Sequence, residues 1–126
     1  MKRAYIAGAL LAICVAFCLF SFFTITKDCE AIISQSEQIE KAAQSADFES
    51  AKKLSAELKT MWEQYSLPFS LLTTHVHYDT LEECVDKIYH ACQSAQKKEI
   101  TAAGDDLIFE AKHIITTIAP KAENVF

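Results

Sequence analysis

Backbone breakers are scarce in this chain: 126 residues contain two Gly and two Pro. A glycine-rich loop that cradles phosphate is therefore close to excluded. Stretches alternating apolar and polar residues, the mark of a half-buried strand, are also missing. Positive charge is short as well. All 17 acids lie beyond Lys27, with only nine of the twelve Lys and Arg. An acidic surface of this kind lacks the basic footprint that nucleic acid needs, and it does not suit flat binding on anionic lipid. No paired acid and base, nucleophile elbow or twelve-residue calcium loop is readable, Asp105-Asp106 after Gly104 included. The expectation is a protein that is not an enzyme and carries no cofactor.

What is present is apolar and helical. Hydrophobic residues make up 51% of the chain, and the excess sits at the start. From Ala4 to Ile25 no residue is charged. At ~1.5 Å per residue this run exceeds the ~30 Å hydrocarbon core of a bilayer, and only a helix satisfies its own backbone there. A cleaved signal peptide would have a shorter apolar core and a small-residue cleavage site. Ser21-Phe22-Phe23 and Phe23-Thr24-Ile25 are too bulky for that site, and Ile13 and Phe17 before Cys14 and Cys18 do not suit a lipoprotein signal. Lys2 and Arg3 precede the run, whereas Lys27 is followed by Asp28 and Glu30. The positive-inside rule then gives residues 1–3 in the cytoplasm, a single-pass transmembrane helix over 4–25 and an extracytoplasmic domain over 26–126 at the cell membrane. Ala4, Gly8, Ala12 and Ala16 recur every four residues, which forms a stripe of small side chains along the span.

The remainder reads as helices with one apolar stripe each. The first continues from the span with Cys29, Ile32, Ile33, Ser36, Ile39 and Ala43 on one side. Asp47 is a candidate N-cap for a second, carrying Phe48, Ala51, Leu54, Leu58, Met61, Trp62 and Tyr65. Leu67-Pro68 is expected to break it, and 69–78 is ambiguous between a short helix and an ordered loop. Asp79-x-x-Glu82 and Thr80-x-x-Glu83 are overlapping capping boxes that would start a third helix, with Leu81, Cys84, Val85, Ile88, Ala91, Cys92 and Ala95 inward. Gln96-Lys97-Lys98 makes the next turn. A fourth helix carries Ile100, Ala103, Leu107, Ala111, Ile114, Ile115 and Ile118, and Pro120 would end it. Stripes of this kind are stable only when packed together. The fold class is therefore all-α: an N-terminal transmembrane helix followed by a small antiparallel bundle of three to four helices. Gln44-Ser45-Ala46 is echoed by Gln93-Ser94-Ala95, hinting at two related hairpins.

This layout resembles the family catalogued as domain of unknown function 4363, small single-pass bacterial membrane proteins. The resemblance rests on the anchor, on Asp47-Phe48-Glu49-x-Ala51 opening a helix that runs to Trp62-Glu63, and on His75 and Asp79 after the break. It is completed by the polar turn before the last helix and the Asn124-Val125-Phe126 end. It covers nearly the whole chain and implies a membrane-anchored helical domain of spore-forming, Gram-positive-type bacteria. It implies no activity.

His75-Val76-His77-Tyr78-Asp79 is the most suggestive local cluster, and His75, His77 and Asp79 are candidate metal ligands. On a helix the two His point about 200° apart, and a site needs three or four ligands. The plainer reading is a helix start capped by Asp79. Cys14 and Cys18 fall within the span and pack as small apolar groups. Cys84 and Cys92 lie ~12 Å apart on one helix, too far for a bridge. A disulfide from Cys29 to either stays open. Trp62, Tyr65 and Tyr89 are a candidate aromatic pocket, though helical spacing favours core. His90 and His113 stand singly. The function expected is a membrane-anchored interaction module that binds an unknown protein partner or itself. The alternative is a sensor or small-ligand or metal-binding bundle.

Overall fold

A computed structural model of the chain describes residues 1–118. Pro120 as a helix stop and Asn124-Val125-Phe126 lie outside the described residues. Four helices account for nearly all of them, with no strand among them: α1 (Lys2–Gln44), α2 (Phe48–Leu72), α3 (His75–Ser94) and α4 (Lys97–Ile118). Connections of two or three residues force each helix back along its predecessor. Each packs on two neighbours, α1 on α2 and α4, and α3 on α2 and α4; the diagonal pairs do not approach. The result is a closed four-helix bundle, with one half of α1 projecting from it.

The core has one repeating rule. Buried positions step by four and three residues in turn: Ile25, Cys29, Ile32, Ser36, Ile39 and Ala43 on α1, and Ile100, Gly104, Leu107, Ala111 and Ile114 on α4. Ala51, Ser55, Leu58, Trp62 and Phe69 on α2 keep the same register, as do Leu81, Val85, Ile88 and Cys92 on α3. A mean step of 3.5 keeps a seam facing its neighbours when helices pack about 20° off antiparallel. The first seam, with Ser36 in it, follows the sequence expectation. The Ser36 and Ser55 hydroxyls donate to the carbonyls of Ile32 and Lys52, each at 2.8 Å, so neither is left unpaired in the core.

The turns explain the Gln-Ser-Ala echo. Among the described residues, Ala46 and Ala95 are the two non-glycine residues of positive φ, at 57° and 56°. Each reverses the chain at the bundle end far from the projecting part of α1. At the first, the N–H groups of Ala46 and Asp47 donate to the carbonyls of Ala43 and Ala42, a Schellman closure that normally recruits glycine. Asp47 then caps α2, accepting from the Ser50 N–H at 3.2 Å and its hydroxyl at 2.7 Å.

The second turn corrects the sequence reading. Pro68 lies inside α2, which runs on to Leu72. Proline in a helix interior costs ~3 kcal/mol because it removes an N–H and crowds the preceding turn. Burying an aromatic side chain offsets ~1.5–3 kcal/mol, and Phe69, fully buried against Trp62 with ring centroids 5.5 Å apart, supplies that. The third helix starts at His75, earlier than Asp79 or Thr80. Its cap is Thr74, whose hydroxyl accepts the His77 N–H. Thr80 instead donates back to the Val76 carbonyl at 2.7 Å, as a mid-helix threonine does.

Candidate functional site

α1 has two environments on one unbroken helix. Every residue from Met1 to Phe20 is exposed, burial begins at Ser21 and Phe22, and Ile25 is fully in the core. The exposed part has the length and apolar composition needed to cross a membrane. The last residues of the uncharged run thus belong to the bundle, and the exposed half of α1 meets the bundle near Ser21. There a groove of about 260 Å³ opens between the helices. Phe17, Cys18 and Ser21 form one wall, and Leu71, Leu72 and Ile118 the other.

The sequence-predicted ligands sit just beyond this groove. His75 and Asp79 are exposed at the start of α3, while His77 is half-buried. No group of three His, Cys, Asp or Glu side chains that could hold a metal occurs among the described residues. His77 instead meets His113 of α4, ring centroids 6.1 Å apart, and His113 stacks on exposed Phe109. The two imidazoles come from adjacent helices, a pairing that sequence spacing cannot show. The aromatic cluster differs too. Trp62 packs between Phe69 and Tyr78, at 5.5 and 5.4 Å, as part of the core. Tyr89 lies elsewhere, with the Lys59 ammonium 4.7 Å above its ring. The Trp62 Nε1 and Thr26 Oγ1 are shut from water and have no hydrogen-bond partner among the described residues.

A second site lies between α1 and α4. Gly104 leaves room for the Glu40 side chain, whose Cγ would stand 2.7 Å from a Cβ at that position. Burial pushes the Glu40 carboxyl up to about 7, helped by a hydrogen bond to Asp105 and by the charges of Asp105 and Glu37. Its Oε1 is sheltered and meets no donor among the described residues. A proton held on Glu40 supplies the bridge between the two carboxyls. The site lies on an open groove rather than in a water-excluding pocket, with Glu37 and Lys41 along its rim. Glu40 sits beside Ile39 in the seam, and only the helix pairing reveals what it faces.

All five cysteines are free. Cys14 and Cys18 are exposed on the apolar half of α1, and Cys29, Cys84 and Cys92 are buried. Burial, then Asp28 and Glu30, push the Cys29 thiol up to about 12. Burial, with Glu110 next in weight, pushes Cys84 up to about 11. Cys92 is raised by burial against a hydrogen bond to Ser55. These are packing thiols that resist ionisation.

Comparison with known proteins adds one relationship. Residues 19–125 match the model of domain of unknown function 4363 (DUF4363). The chain belongs to that family. No curated protein and no solved structure matches it. The match to domain of unknown function 4363 begins two residues before burial does, so it takes in the bundle and leaves out most of the exposed half of α1. Membership in domain of unknown function 4363 brings no chemistry with it, and function has to be argued from the geometry above.

Proposed function

We propose that this protein is a non-catalytic interaction module, anchored in the cytoplasmic membrane by the first half of α1 and presenting its acidic bundle on the extracytoplasmic side. The observation that carries the reading is the single helix that is apolar and exposed up to Phe20 and then becomes a core element of the bundle. Such a rod transmits position rigidly: whatever the bundle binds is held at a fixed height above the lipid. Lys2 and Arg3 at one end and the acids beyond Lys27 at the other support the orientation. The partner is a second copy or another envelope protein, bound through surface rather than through an internal cavity.

Crosslinking the intact protein in its own membrane, followed by pull-down, tests this. Recovery of one stoichiometric partner or of a homodimer is expected, and an uncrosslinked monomer would refute the reading. Protease added to intact cells is expected to reach the bundle; protection would reverse the orientation.

A second reading, a metal- or ligand-sensing bundle, has one observation in its favour, the His77–His113 pair across α3 and α4. It requires metal to copurify with the protein and to be lost in His77→Ala plus His113→Ala but retained in His75→Ala.

A further inference from the structure

We propose that the α2–α3 turn is a second membrane contact, with Leu67, Leu71 and Val76 seated in the acyl–headgroup boundary of the bilayer that holds α1. The inference rests on the anchoring proposed above and adds a surface to it.

The first support is height. Counted from Ala4, the first residue past Lys2 and Arg3, ~20 residues at ~1.5 Å each fill the ~30 Å hydrocarbon core. The bilayer boundary then falls near Phe23, among the Ser21, Phe22 and Ile25 side chains that line the groove. Leu71 and Leu72 share a groove with Cys18 and Ser21, so the turn that follows them lies at that boundary.

The second support is chemistry. No Lys, Arg, Asp or Glu occurs between Glu63 and Asp79, the longest such gap outside the span. Within it Leu67, Leu71 and Val76 are 68, 76 and 71% exposed. Beyond Ile25, Phe109 is the one other large apolar side chain so exposed among the described residues. In water these three side chains would be a liability at one end of an otherwise charged bundle.

The third support is the backbone. A turn entering a lipid boundary must satisfy its own polar groups. Pro68 has no N–H. The Ser70 hydroxyl donates to the Leu67 carbonyl at 2.8 Å, and the Thr73 hydroxyl and N–H both reach the Phe69 carbonyl. Thr74 caps α3. Tyr65 and Tyr78 flank the turn half-buried, the residue type that favours the interfacial layer.

The test uses the full chain in vesicles of phosphatidylethanolamine and phosphatidylglycerol with bromine on the acyl chains, which quenches nearby tryptophan. Three reporters, Leu71→Trp, Phe17→Trp and Gln96→Trp, are made in a Trp62→Phe background. If that background loses helix, each is read as a difference spectrum against the native chain. Leu71→Trp is expected to lose emission to the same degree as Phe17→Trp, and Gln96→Trp to lose none. Quenching of Phe17→Trp alone overturns the turn contact and leaves the anchor standing. Quenching of neither removes both. Protection of Leu71→Trp that disappears on diluting protein into excess lipid assigns the turn to a second copy and overturns the lipid contact.

Discussion

Ala46 and Ala95 hold a left-handed backbone that L residues adopt at a cost of ~1–2 kcal/mol, most of which glycine avoids. Allowing for glycine's freer unfolded chain, Ala95→Gly or Ala46→Gly is expected to stabilise the bundle by ~0.5–1 kcal/mol, seen as a higher urea midpoint. Glu40 makes a different prediction. Its carboxyl is raised in the folded state from the ordinary 4.5 to about 7. The folded protein therefore holds a proton that the unfolded chain has released across that window. Stability from this group is full below pH ~4.5 and is lost as pH rises through about 7. Glu40→Gln keeps the shape and donates permanently to Asp105, so it should flatten the fall in melting temperature between those pH values. A slope unchanged by Glu40→Gln would show that Glu40 does not titrate as described. The buried thiols yield a third expectation. With Cys29 pushed up to about 12, its thiolate fraction at neutral pH is ~1,000-fold below that of an ordinary cysteine. Maleimide should label Cys29 only on denaturation, and rapid labelling of the folded protein would contradict its place in the core.

α2 shows where local sequence rules stop. Its start was legible because Asp47 satisfies the first turn through atoms only three residues away, and its seam was legible because spacing fixes a face. Its end was not. Pro68 argues locally for a break, and Asp79 and Thr80 with their glutamates argue locally for a later start to α3. Both signals lose to Phe69, whose contact with Trp62 is made on the surface that α3 covers with Tyr78. The His77–His113 and Glu40–Asp105 pairings were hidden for the same reason: each joins helices whose register no single sequence states. If Phe69 burial is what holds the last turn of α2, Phe69→Ala should cost ~3–5 kcal/mol. Amide exchange should then accelerate first at Phe69 to Leu72, with the turns at Ala46 and Ala95 still protected. Uniform acceleration throughout the bundle would mean that Pro68 is tolerated for another cause.

At the scale of the molecule, one helix has an exposed apolar half and a half that builds the core, and the division between them is sharp. Nothing before Ser21 contributes to the core, while Ile25 is fully buried within it. The family match, starting at residue 19, follows that division rather than the end of the apolar run. A chain beginning at Ser21 should therefore fold as a helical bundle with nearly the full-length denaturation midpoint, although it gives up the anchor. Ile25→Ala in that shortened chain leaves a cavity at the seam and should lower stability by ~2–5 kcal/mol. The matching substitution Ile13→Ala in the full-length protein, at an exposed position of the projecting half of α1, should leave the bundle's midpoint unchanged. Chemical denaturation of the three proteins, followed by circular dichroism, compares them directly. Equal losses from Ile13→Ala and Ile25→Ala would mean that the projecting half of α1 supports the bundle after all, and that anchor and domain fold as one unit.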